Sequence, residues 1–154
     1  MITRPFGSTG ARASVIGQGT WSMGESRRAE DDEVLALRLG IELGLTHIDT
    51  AEIYADGGAE RVVGKAVAGR RHEVFIATKV SPRNASYAGT LRACEESLKR
   101  LKTDYVDLYL LHWWSDHHPV GETMKALEEL VSRGLTRFIG VSNFYVNNAK
   151  TSLL

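Results

Sequence analysis

Four apolar runs in the 154-residue chain end on polar, chemically capable side chains: Asp49, Lys79, His112 and the pair Ser142-Asn143. Tyr54 follows Asp49 by five residues and adds a phenol above the same edge. A carboxylate, an ammonium, an imidazole and a phenol bind ligands through charge and hydrogen bonds. In α/β folds such sites gather at the carboxyl ends of strands. Each residue alone also has a plain structural reading. Asp49 could cap the following turn, and Lys79 could snorkel from an exposed rim. His112 could be a satisfied, half-buried histidine, and Ser142-Asn143 could cap the next helix. Four such endings on four consecutive runs are harder to explain as separate accidents.

The elements that must position these residues follow from hydrophobic periodicity. Two short extended pieces, 4–6 and 11–15, flank the Gly7-Ser8-Thr9-Gly10 turn and predict a hairpin. Residues 16–21 have the length of a buried strand. The acidic cluster Glu30-Asp31-Asp32-Glu33 opens a helix with Val34, Leu37 and Ile41 on one face, where acids suit the helix dipole. Gly44 can stop that helix in a left-handed conformation. Strands are then expected at 46–50, 74–80, 105–112 and 138–141. Helices are expected at 59–67, at 90–102 through Leu91, Cys94, Leu98 and Leu101, and at 122–133 through Met124, Leu127 and Val131. Apolar strands alternating with amphipathic helices predict a parallel sheet covered by helices, joined by right-handed crossovers. Two architectures fit, an open doubly wound sheet and a (β/α) barrel. A whole barrel usually needs about 250 residues, so length alone favours the open sheet.

Composition removes several function classes. Nineteen Lys+Arg balance nineteen Asp+Glu, and 43% of residues are hydrophobic. That balance predicts a single globular domain with no electrostatic footprint for nucleic acid or an acidic membrane surface. Cys94 is the sole cysteine, which fits a reducing, cytoplasmic setting. Residues 1–15 lack the continuous apolar core of a signal peptide. No run approaches the roughly 18 apolar residues of a membrane span.

Other signals carry less. Gly17-Gln18-Gly19-Thr20-Trp21-Ser22 begins like a dinucleotide fingerprint but lacks its third glycine and a suitably spaced acid. Gly64-Lys65 is not a phosphate loop, because Ala66 and Ala59 occupy required positions. His112, Asp116, His117 and His118 cluster before Pro119, but their spacing matches no standard metal site, so no metal is expected. Cys94 is expected in the core. Glu95, Glu96, Lys99 and Arg100 are expected on a solvated helix face.

Taken in order, Asp49-Thr50-Ala51-Glu52-Ile53-Tyr54, Ala77-Thr78-Lys79, Leu110-Leu111-His112-Trp113 and Gly140-Val141-Ser142-Asn143-Phe144 resemble the aldo-keto reductase family. The similarity runs over about residues 4–145, and residues 51–71 are similar to bacterial members that include methylglyoxal reductases. The resemblance implies a (β/α)8 TIM barrel whose N-terminal hairpin, here 4–15, closes the bottom. It implies an oxidoreductase that reduces small aldehydes and ketones with NADPH, or alternatively NADH.

The resemblance also implies roles for individual residues. Tyr54 would protonate the developing alkoxide. A phenol releases its proton reluctantly near neutrality, and the adjacent Lys79 cation would favour the phenolate. Asp49 would hold Lys79 through a charge-assisted hydrogen bond. His112 would donate to the carbonyl oxygen and polarise it. Ser142 and Asn143 would bind the nicotinamide carboxamide, and Thr20, Trp21 and Asp49 would also face the cofactor. Trp21 and Trp113 would form an apolar substrate wall beside Tyr54 and His112, with core packing as the alternative for both tryptophans.

Residues 1–154 are thus expected to be a partial barrel domain of about five parallel strands, lacking the C-terminal strands. In the family those later strands hold the cofactor's pyrophosphate and 2′-phosphate. Residues 147–154 depart from the acidic amphipathic helix usual after the Ser-Asn-Phe motif. Open sheet edges would invite self-association. Two functional classes therefore stand: a carbonyl reductase, and a non-catalytic half-barrel or interaction module that keeps the tetrad by descent.

Overall fold

In the computed structural model, residues 1–26 and 28–144 are described, and the 147–154 segment lies outside them. Strands β1 (Thr3–Pro5) and β2 (Arg12–Ser14) form the expected antiparallel hairpin. There follow β3 (Gly17–Gly19), α1 (Glu30–Glu42), β4 (His47–Asp49), α2 (Gly58–Ala66) and β5 (Phe75–Val80). The described chain continues with α3 (Tyr87–Leu101), β6 (Val106–Leu111), α4 (Val120–Ser132) and β7 (Thr136–Val141).

Strands β3 to β7 make one parallel sheet in strict chain order. A doubly wound sheet reverses its strand order at a switch point. Here the order never reverses, and α1, α2, α3 and α4 each pack on the next as a single layer. That is how strands and helices progress around a barrel wall, so the length argument for an open doubly wound sheet fails.

The main core lies between sheet and helices. Ile48, Ile76, Tyr109 and Leu111 are essentially solvent-free, as are Leu37, Val62, Val63, Leu101, Leu127 and Leu130 on the helices. Each buried side chain of this size contributes roughly 1.5–3 kcal/mol of transfer free energy. Cys94 belongs to this core, as expected, and burial pushes its thiol up to about 12. Gly44 ends α1 at φ 85°, the left-handed geometry its type predicts. Helix α3 starts three residues earlier than its periodicity predicts, because the Ser86 hydroxyl caps it by accepting the Gly89 N–H at 3.1 Å.

The hairpin closes the amino-terminal end of the sheet. Phe6 packs its ring 5.0 Å from Phe75 and 5.7 Å from Phe138. The Ser14 hydroxyl accepts the His47 N–H at the start of β4. Beside this plug, Asp107 is 2% exposed and fully engaged. It pairs with Arg71 at 2.7 Å and Arg137 at 2.9 Å, and accepts the Ile76 N–H at 2.9 Å.

Candidate active site

The opposite, carboxyl-terminal ends of β4, β5, β6 and β7 bring the sequence-predicted residues together. Asp49 is the last residue of β4 and Lys79 the penultimate residue of β5, in neighbouring strands. Parallel pairing places the Lys79 ammonium 2.8 Å from both Asp49 carboxylate oxygens and 2.9 Å from the Thr50 carbonyl. Lys79 is only 5% exposed, so the reading of a lysine snorkelling into solvent does not hold. A desolvated ammonium is tolerable here because its three donors meet three acceptors. The Asp49 carboxylate goes to Lys79 and does not cap the next turn.

Tyr54 stands above this pair. The Lys79 ammonium lies 5.2 Å from the centre of its ring. The chain after Tyr54 turns sharply through three left-handed residues, Ala55 (φ 49°), Asp56 (φ 54°) and Gly57 (φ 76°). Ala55 and Asp56 carry a Cβ in that region, which costs roughly 1–2 kcal/mol each. Strain of this kind concentrates where a fold must aim a side chain. In the sequence only the Asp56-Gly57 pair advertised the turn.

His112 follows β6 and is 3% exposed. Its ring meets Tyr54 edge-on at 5.6 Å and stacks on Trp113 at 3.7 Å with an 11° interplanar angle. Burial, and then the nearby Lys79 charge, drive its pKa down to about 4, against the opposing pull of Asp49. The imidazole is therefore neutral at physiological pH. Its Nδ1 is buried without a hydrogen-bond partner among the described residues, as is the Thr50 hydroxyl.

Ser142 and Asn143 close the arc after β7. The Ser142 N–H donates to the Leu111 carbonyl at 2.8 Å. Asn143 adopts a left-handed conformation (φ 56°) and donates its amide to the His112 carbonyl at 3.0 Å. Thr20 is buried, and both its N–H and its hydroxyl bond the Asp49 carbonyl, so it acts on the site by bracing the end of β4. Trp21 and Trp113 are 76% and 40% exposed, which removes core packing as their explanation.

One connection escaped the sequence. Arg100, expected on a solvated face, reaches Glu60 at 2.6 Å. Glu60 is fully buried and also accepts the Thr78 hydroxyl at 2.6 Å.

A carboxylate-anchored ammonium beside a phenol, with a neutral imidazole next to both, can donate and receive a proton at one small locus. Residues 15–151 match the Aldo/keto reductase family. The chain is 58% identical to methylglyoxal reductase YeaE of Escherichia coli (strain K12) over 128 residues, covering 83% of this chain and 45% of that protein. It is 40% identical to the aldo-keto reductase YhdN of Bacillus subtilis (strain 168), covering 93% and 47% respectively. Among solved structures, an aldo/keto reductase from Klebsiella pneumoniae in complex with NADP and acetate superposes with a TM-score of 0.87. That protein is 53% identical, with 91% of this chain and 49% of that chain covered. The chain thus spans about half the length of the curated relatives it matches, and its five-stranded parallel sheet with a separate hairpin is the corresponding portion of a TIM barrel. On sequence and fold together, the chain belongs to the aldo/keto reductase family.

Proposed function

We propose that this chain carries the catalytic half of an NADPH-dependent reductase of small aldehydes and ketones, with methylglyoxal-like carbonyls as the substrate class. The observation that carries the reading is Lys79: a buried ammonium held on Asp49 and placed against the Tyr54 ring, with a neutral His112 alongside. A reduced nicotinamide supplies the hydride when bound. The chain's own residues handle the carbonyl oxygen. Tyr54 protonates the alkoxide as charge develops there. Lys79 stabilises the phenolate left behind, and Asp49 keeps Lys79 in place. Neutral His112 donates a hydrogen bond to the carbonyl without adding a second cation beside Lys79. Trp113, stacked on His112 and partly exposed, limits water at the reacting centre, and Trp21 offers a further apolar contact at the mouth.

The donor set suits a nicotinamide. Ser142 and Asn143 present a hydroxyl and a primary amide beside the His112 carbonyl, complementary to a carboxamide that both donates and accepts. Asp49, beside Lys79, keeps its side chain 42% exposed. A fluorescence titration with NADPH, and with NADH alongside, tests this reading. Saturable NADPH binding that weakens in Asn143→Ala is expected. Absence of binding would remove the cofactor half of the proposal.

A second reading has its own observation. Strand β7 pairs only with β6 among the described residues, and an open groove of about 670 Å³ lined by Phe6, Leu108, Leu110, Phe138 and Val141 runs along that edge. Such an edge favours association of two copies. Sedimentation velocity across a concentration series checks it, with a concentration-dependent dimer as the expected result.

A further inference from the structure

Beneath the Tyr54 turn runs a chain of contacts that the proposed chemistry does not itself use. Arg100, from the last turn of α3, crosses directly over Gly57: a Cβ built at Gly57 would lie 2.4 Å from Arg100 Cδ and 2.5 Å from Nε. Having passed the turn, the guanidinium donates to Glu60 of α2 at 2.6 Å and to the Ser97 hydroxyl at 3.0 Å. The other Glu60 oxygen accepts from Thr78 at 2.6 Å. Thr78 immediately precedes Lys79 in β5. Glu60 and Thr78 are both fully buried, so neither bond competes with water. Gly64 lets α2 approach α3 closely, since a Cβ at this position would fall 2.7 Å from the Arg100 and Leu101 carbonyls. The backbone carrying Arg100 is thereby held against α2.

We infer that the Arg100–Glu60–Thr78 network is a positioning device that locks the Tyr54 turn to the Lys79 strand and so sets the separation of phenol and ammonium. The inference rests on the proposed roles of Tyr54 and Lys79. One end of the network presses on Gly57, three residues after Tyr54, and the other is bonded to the residue before Lys79. In between, Glu60 is the single carboxylate that both ends share. A carboxylate with two partners of fixed geometry transmits a displacement at one end to the other, because charge-assisted bonds of this length resist stretching. The left-handed conformations of Ala55 and Asp56 need such an external hold, since they are unfavourable by themselves.

The test uses carbon-13 tyrosine-labelled protein, with Tyr54→Phe identifying the Tyr54 ring signal. Thr78→Val removes the hydroxyl at constant shape, Thr78→Ser keeps it, and Arg100→Lys keeps the charge but loses the fork. Thr78→Val and Arg100→Lys are expected to move the Tyr54 signal while leaving Tyr105, at the far end of the sheet, in place. Thr78→Ser is expected to coincide with the wild type. If Thr78→Val does not fold, the partly exposed Arg100 position carries the test alone. A Tyr54 signal unmoved in the folded variants overturns the inference, and so does a general shift that includes Tyr105. In turnover, kcat should fall about tenfold with KM and NADPH affinity unchanged, and the solvent deuterium isotope effect should rise. Tyr54→Phe separates the two levels. Full turnover in that variant sinks the proposed chemistry itself. Loss of turnover there, with an unmoved Tyr54 signal in Thr78→Val and Arg100→Lys, sinks only the network.

Discussion

At the amino-terminal end of the sheet, Asp107 is 2% exposed with both carboxylate oxygens engaged, and Phe6, Phe75 and Phe138 fill the space beside it. At the carboxyl-terminal end, His112 is equally hidden but leaves Nδ1 without a partner among the described residues, and Trp21 stands 76% exposed. The backbone differs in the same sense. Three of the four left-handed non-glycine residues among the described ones, Ala55, Asp56 and Asn143, lie around the carboxyl-terminal rim, and the fourth, Lys102, caps the end of α3. The amino-terminal end satisfies its buried carboxylate, and the carboxyl-terminal end leaves the Thr50 hydroxyl and His112 Nδ1 unpaired among the described residues. In a (β/α) barrel this asymmetry is what separates the end that stabilises from the end that reacts.

The comparison can be broken from either side. The largest effect is expected from Lys79→Met, which removes the ammonium that Asp49 and Thr50 hold. Turnover should drop about 100- to 1000-fold, measured by NADPH consumption, while far-ultraviolet circular dichroism stays unchanged. Asp107→Ala attacks the other end. Arg71 would be left largely buried without its carboxylate, whereas Arg137, half exposed, can turn to water. A loss near the lower limit for a broken buried pair, about 3 kcal/mol, is expected in denaturant titration, with kcat of the folded fraction intact.

The next prediction concerns pH. The His112 pKa is lowered from 6.5 to about 4 by burial first and Lys79 second, and that of His47 is lowered chiefly by burial. Between pH 4 and 6.5 the unfolded chain therefore binds more protons than the folded one. Stability must fall as pH drops through that window, by on the order of 3 kcal/mol for His112 when complete. Midpoints measured across the window should show a shallower slope in His112→Gln. An unchanged slope would mean that His112 is not held neutral by its surroundings. The smallest effect on stability is expected from Trp21→Ala, within about 0.5 kcal/mol because the ring is mostly solvated. Its effect should appear in KM for the carbonyl.

The barrel was legible in the sequence through the resemblance of its motifs, whereas periodicity alone placed the strand ends but not the strand order. Asp49, Lys79 and His112 could be placed because each ends an apolar run, and a parallel sheet carries all such endings to one edge. The strand order could not be placed this way, since alternating strands and helices read alike in an open sheet and in a barrel. Length pointed toward the open sheet, the family resemblance of the motifs pointed to the barrel, and pairing in unbroken chain order bears the barrel out. The start of α3 was missed because Tyr87, Ala88 and Gly89 show no apolar period, although Ser86 was available as a cap. Arg100 read as solvated because its partner Glu60 lies forty residues away on another helix, and tertiary pairing leaves no local trace. The left-handed turn after Tyr54 hid for a different reason: Ala55 does not announce such a conformation, and Asp56-Gly57 marks a turn without saying that three consecutive residues take that hand.

The most direct test of the proposed chemistry is methylglyoxal reduction by NADPH, followed with the purified protein and with Tyr54→Phe side by side. Turnover is expected in the first and a loss of about 100-fold or more in the second, with NADPH affinity the same in both. Equal turnover in the two would contradict the proposal, because the phenol at the centre of the rim would then have no part in the chemistry.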